Sequence, residues 1–113
     1  LGMNVIDARE CHEIGVARIV EKVKAIVGDN PVYLTFDIDA LDPAFAPGTG
    51  TPVSGGPSSA KILSVLRKLG ALNIVGSDVV EVAPAYDHAE LTTIAAANTV
   101  YDLLALMALR PRG

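Results

Sequence analysis

Between His12 and Val27 apolar residues recur every three or four positions, at Ile14, Ala17, Val20, Val23 and Val27. That period is one face of an amphipathic helix. Lys22 and Lys24 fall off the stripe, and Gly28-Asp29-Asn30-Pro31 ends it. Upstream, Gly2 to Asp7 is short, apolar and bounded by turn formers, which predicts a strand. Val32 to Phe36 is β-branched and aromatic without clean alternation, the mark of a strand covered on both faces. It runs into Asp37-Ile38-Asp39. From Ala40 to Pro57 four prolines and four glycines exclude regular structure and leave a long structured loop.

Ser58 or Ser59 caps a second predicted helix running to about Leu69, with Ile62, Leu63, Leu66 and Leu69 buried and Gly70 closing it. Leu72 to Val80 reads as a second buried strand, leading into Glu81. After Pro84, Asp87-His88-Ala89-Glu90 has the D-x-x-E form of a capping box. It opens a last helix to about Ala108, with Leu91, Ile94, Ala95, Val100, Leu103, Leu104 and Met107 largely on one side. Arg110 to Gly113 reads as a frayed tail. Strands alternating with helices imply right-handed crossovers and a parallel sheet. Three strands and three helices make a sheet too small to close its own core, which points to part of a larger domain.

Composition narrows the function classes. Half of the 113 residues are apolar and 19% are charged, so the chain folds. With three Tyr, two Phe and no Trp, the core must be aliphatic. Nine basic against thirteen acidic residues, with no basic stripe among aromatics, give nucleic-acid binding no support. The one cysteine, Cys11, cannot pair within the chain, which fits a reducing cytoplasm. Apolar stretches are interrupted before the roughly 18–20 residues of a membrane helix, so no membrane is expected. No signal peptide is apparent. The chain begins Leu1-Gly2-Met3 rather than with an initiator Met, which fits a fragment.

Candidate chemistry lies where the strands end. In an open parallel sheet, ligands bind outside the carboxyl ends of the strands. Asp37 and Asp39 follow the first long strand and Glu81 the second. Two residues apart in extended chain, Asp37 and Asp39 project to one side while Ile38 points into packing. Paired carboxylates repel and are compensated by a divalent cation such as Mg, Ca or Mn, or by loop amides or a lysine. The segment from Pro47 to Gly56 lacks the G-K-[ST] of a phosphate loop. Its prolines stiffen it, its glycines allow close backbone approach, and Thr49 and Thr51 offer hydroxyls; a plain turn cluster is the alternative. His12 and His88 have no ligand spacing and read as surface or capping residues. Cys11 reads as an inert thiol, and Asp78, inside a strand, as a residue that hydrogen-bonds behind the site or satisfies loop amides.

The run Thr35-Phe36-Asp37-Ile38-Asp39-Ala40-Leu41-Asp42-Pro43, continued by Ala44 to Pro52, strongly resembles the signature of the arginase–agmatinase (ureohydrolase) family. The stretch from Gly76 through Glu81-Val82-Ala83-Pro84 to Thr92 resembles the C-terminal segment of that family's bacterial agmatinases. The resemblance implies a three-layer α/β/α fold around a parallel sheet, of which this chain holds the C-terminal portion. It also implies two manganese ions that activate a bridging hydroxide against a guanidinium carbon, releasing urea. By motif position, Asp37 and Asp39 match metal-binding aspartates, Glu81 the glutamate that receives the guanidinium, and Thr51 the threonine of the substrate-side loop. The family's remaining ligands, a histidine and a D-x-H-x-D cluster, are absent here, and neither His12 nor His88 matches them. Ser54 and Pro57 stand where relatives often carry other residues.

The function these motifs imply is hydrolysis of agmatine to putrescine and urea, once the missing N-terminal part completes the site. Guanidinobutyrate or another guanidino compound is the alternative substrate, and a non-catalytic remnant the alternative class. A small-molecule guanidino substrate, a cytoplasmic location and a homo-oligomer, trimer or hexamer, complete the expectation.

Overall fold

The computed structural model describes residues 2–111. Helix α1 spans Ala8–Val27 and strand β1 Val32–Asp37. A 3-10 turn follows at Ile38–Ala40, then helix α2 (Ser59–Arg67) and strand β2 (Ile74–Val80). A second 3-10 turn, Pro84–Tyr86, precedes helix α3 (Leu91–Leu109).

Helix α1 starts four residues before the predicted His12. Asp7 caps it, its carboxylate accepting from the Glu10 amide at 2.8 Å. At Gly15 the backbone leaves the helical region, with φ 75° and ψ 171°, and the helix kinks. The kink resets the helical phase. Ile19 and Val20 are the buried residues of α1, while Ala17, predicted inside, is exposed. Lys22, off the predicted apolar stripe, pairs across the kink with Glu10.

Strands β1 and β2 pair in parallel, with Thr35 opposite Asp78 and Asp37 opposite Val80. The predicted strand over residues 2–7 does not form: this segment pairs with no strand, and Met3 and Val5 are exposed. Val32, Leu34 and Phe36 face the core, whereas Tyr33 and Thr35 lie on an open face. The expectation that β1 is covered on both faces is therefore corrected. This chain supplies helices to one side of the sheet, where the Ser77 hydroxyl meets the Met107 sulfur on α3 at 4.0 Å.

Helix α2 keeps its predicted cap, Ser58, whose hydroxyl accepts from the Lys61 amide at 3.1 Å. Leu66 and Leu69 are buried with Val65, while Ile62 and Leu63 pack partly against the core. The predicted burial of α3 is corrected more deeply. Leu91, Ile94, Val100 and Leu104 are exposed, and the inward face is Thr92, Thr99, Asp102, Leu103 and Leu106. A helix apolar on all sides carries no phase from which its inner face can be read. Its polar inward groups are satisfied: the Thr99 hydroxyl donates to the Ala95 carbonyl, and Arg67 Nε donates to Asp102 at 2.8 Å.

Leu91–Leu109 is also long and apolar enough to cross a membrane, contrary to the expected interruptions. Its packing against α2 and β2, and the inward-facing Asp102 that takes the exposed Arg67 as its partner, tie it to the rest of the fold. Arg110, read as part of a frayed tail, donates to the Ile74 carbonyl at 3.2 Å; Arg112 and Gly113 lie outside the described residues.

Candidate active site

Asp37 closes β1, and the chain turns immediately into the 3-10 turn. The Asp39 amide donates to Asp37 Oδ1 at 3.0 Å, and Ile38 is fully buried. The two carboxylates are thus neighbours, as the D-x-D spacing predicts. The cause is a tight turn pinned by a core isoleucine, not strand alternation. Thr51 Oγ1 donates to Asp39 Oδ2 at 2.8 Å, which brings the distant loop onto the pair.

Glu81 directly follows β2, next to the Val80 that lies opposite Asp37. Its φ of 69° is the left-handed region, costly for a residue with a Cβ. Burial pushes the Asp37 carboxyl above its usual pKa, and the charges of Asp39 and Glu81 push it the same way, against the opposing Asp39 amide. Asp37 thus lies within electrostatic reach of both other carboxylates. Among the described residues no Lys, Arg or His pairs with them. Hard oxygen donors gathered at one sheet edge suit a divalent cation. Among the described residues, however, no three such side chains converge closely enough to hold a metal by themselves.

The loop is built around Asp42, which the sequence reading passed over. Its carboxylate accepts from the Ala44 and Gly55 amides, each at 2.9 Å, and its own amide donates to the Pro57 carbonyl at 3.1 Å. The Ala44 and Gly55 amides, with His12 nearby, hold its pKa below the usual range. An Asp-Pro dipeptide is the signal that could have found this Asx turn. Gly56 is obligatory there, because a Cβ would sit 2.5 Å from the Ala40 carbonyl oxygen and 2.8 Å from the Asp42 amide. His12, expected at the surface or in a cap, reaches the Gly55 carbonyl through Nε2 at 2.8 Å. The segment is thus an internally bonded loop that delivers Thr51. Thr49 is buried, its hydroxyl without a hydrogen-bond partner among the described residues.

Asp78 accepts from Tyr33 Oη at 2.9 Å and Thr35 Oγ1 at 2.5 Å, so its partners are strand hydroxyls rather than loop amides. Its bond and charge raise the Tyr33 phenol pKa. His88 is exposed, and Cys11 is a half-buried free thiol.

The predicted capping box is corrected as well. Glu90 sits at φ 60° and makes no capping bond. Asp87 alone caps α3, accepting from the Thr92 amide at 3.0 Å and from the Thr93 amide and hydroxyl at 2.9 and 3.0 Å. Desolvation works to raise the Asp87 pKa, but the bonds from Thr92 and Thr93 prevail and hold it well below the usual 3.8. A depressed carboxylate supports the fold above that ordinary value and loses its contribution as pH falls towards the folded-state value. Asp87→Asn in metal-free protein carrying this segment is expected to be less stable at about pH 7, with the deficit narrowing by about pH 3. Urea unfolding of both forms at both pH values checks this, and an equal deficit throughout would refute a charge-based cap.

Comparison with known proteins follows the same outline. The Arginase family profile matches residues 1–106. The chain is 56% identical over 107 residues to the agmatinase of Chromobacterium violaceum, covering 95% of this chain and 33% of that protein. A hypothetical agmatinase from Burkholderia thailandensis superposes with a TM-score of 0.93 at 61% identity, over 95% of this chain and 34% of that one. Proclavaminate amidino hydrolase from Streptomyces clavuligerus gives the same TM-score at 46% identity, over 96% and 36%. The chain spans about a third of the length of the relatives it matches.

Proposed function

The chain belongs to the arginase family and carries part of its three-layer α/β/α fold, and from that premise we propose that it supplies the guanidinium-facing part of an agmatinase active site. The observation that carries this reading is the placement of Asp37, Asp39 and Glu81 at the ends of two paired parallel strands, with the Asp39 amide bonded to Asp37 and Thr51 bonded to Asp39. The likeness to two proteins named agmatinase, at 56% and 61% identity, supports agmatine as the substrate.

In this reading Asp37 and Asp39 hold divalent metal, two manganese ions in the completed site. The chemistry such ions supply is a nucleophilic water at neutral pH. Asp39 is aimed by the Thr51 hydroxyl. Glu81 meets the substrate cation: a guanidinium stays charged at any working pH, and a carboxylate pairs with its planar fork and orients its carbon. A cytoplasmic homo-oligomer belongs to the same reading. The likeness to proclavaminate amidino hydrolase supports a second one, in which the chemistry is kept and a different guanidino compound is the substrate.

The test compares this chain alone with a completed protein, in which it is joined to the upstream part of its own fold or that of the Chromobacterium violaceum relative. With manganese, the completed protein should release urea from agmatine in preference to guanidinobutyrate and arginine. The chain alone should release none, since two aspartates do not make a binuclear site. Urea production from agmatine by the chain alone, dependent on Asp37, would overturn the division of the site. Absence of turnover in the completed protein would overturn the assignment of activity.

A further inference from the structure

We infer that Thr92 is a positioning residue for the guanidinium site, because its hydroxyl fixes Gly48, the residue that ties the Thr51 side of the site to the Glu81 side. Thr92, near the start of α3, is completely buried, and its Oγ1 accepts from the Gly48 amide at 2.7 Å. The Gly48 carbonyl in turn accepts from the Ala83 amide at 2.8 Å. Gly48 lies three residues before Thr51, and Ala83 two residues after Glu81. One buried residue is therefore bonded both to the strand exit that carries Glu81 and to the helix that backs the loop.

The fit leaves no slack. A Cβ on Gly48 would lie 2.8 Å from the Asp87 Cβ, and the Asp87 carboxylate is itself held by the Thr92 and Thr93 amides. Gly48 is wedged between the α3 cap and the Ala83 strand exit. Without the Thr92 acceptor, a buried amide loses its partner and the loop must shift to find another. Thr51 would move with it relative to Glu81, whose backbone is already held in an uncommon conformation.

The inference rests on the roles proposed for Thr51 and Glu81. The test uses the manganese-loaded completed protein with agmatine. Thr92→Val keeps the shape and removes the acceptor, and it should lower kcat/KM for agmatine by up to roughly 100-fold, the cost of a displacement of about an ångström in a positioning group, with KM raised because Glu81 meets the substrate cation. Manganese content should fall no further than in Thr51→Val, because Asp37 and Asp39 themselves are untouched. Thr92→Ser, which keeps the acceptor, should restore most of the lost kcat/KM. A merely structural defect would lower the active fraction, and with it kcat, while leaving KM in place. Thr92→Ala removes the same acceptor and is read in the same way where Thr92→Val is insoluble. Glu81→Gln in the same assay separates the two levels. Loss of turnover there, with a parent-like KM on removal of the Thr92 acceptor, overturns this inference alone. Parent-like behaviour of both variants overturns the reading of the site beneath it.

Discussion

Asp37→Ala in the completed protein is expected to abolish urea release from agmatine and to lower bound manganese, and Asp39→Ala to do the same. Each substitution removes a charged oxygen donor from a pair that the chain places side by side through the Ile38–Ala40 turn. The loss should exceed the roughly 10–100-fold that follows removal of an outer partner of a metal ligand. Thr51→Val provides that lesser case, since Thr51 reaches the proposed metal through Asp39. The pKa of Asp37 leads to the same expectation. Burial and two neighbouring carboxylates favour its protonated form, and a bound cation would offset both. Metal analysis of the purified variants decides the matter, because full manganese occupancy in both would end the assignment.

The legible parts of the chain are those whose signals are local. The aspartate pair could be read because two residues at a strand end stay neighbours whether the backbone remains extended or turns. Strands β1 and β2 could be read from β-branched runs bounded by turns. Phase was less secure. Gly15 resets α1 at a single residue, and α3 has apolar side chains all round, so neither helix announces its inner face. Two of the D-x-x-E tetrads show how context decides. Asp7 caps α1 at Glu10 as the pattern prescribes, whereas at Asp87 the chain passes through left-handed Ala89 and Glu90 before α3 begins.

The long-range closures left less trace. The bonds from Gly48 to Thr92 and from Gly55 to Asp42 and His12 join residues 13 to 44 positions apart. A loop of prolines and glycines can close in many ways, and which one wins depends on the tertiary frame. The sequence offers Thr51 as one of two loop hydroxyls, family resemblance singles it out, and the structure supplies its partner, Asp39. The open face carrying Tyr33 and Thr35, and the unpaired segment over residues 2–7, have the same origin. Their sequences are suited to a larger sheet than this chain contains, in line with its coverage of about a third of its relatives.

Glu81→Gln should leave manganese content unchanged while lowering kcat/KM for agmatine severely, by about 2–5 kcal/mol of transition-state binding, as when a charged pair loses one partner. Glutamine keeps the size and one carbonyl acceptor but forfeits the charge and the two-oxygen fork that matches a guanidinium. The backbone gives independent reason to expect a specialised residue. At φ 69° a non-glycine residue is costly, and the chain is fixed on either side of it, by the strand pairing that ends at Val80 and by the Ala83 amide bonded to Gly48. The chain turns at the end of β2 in a way that leaves Glu81 close enough for its charge to bear on Asp37. A guanidinium carbon held by Glu81 would then face the aspartate pair across the strand ends. Glu81→Asp tests this placement, since it restores the charge on a shorter arm: turnover should stay low if position matters and recover if charge alone suffices. Parent-like turnover of agmatine by Glu81→Gln would show that this carboxylate does not receive the guanidinium.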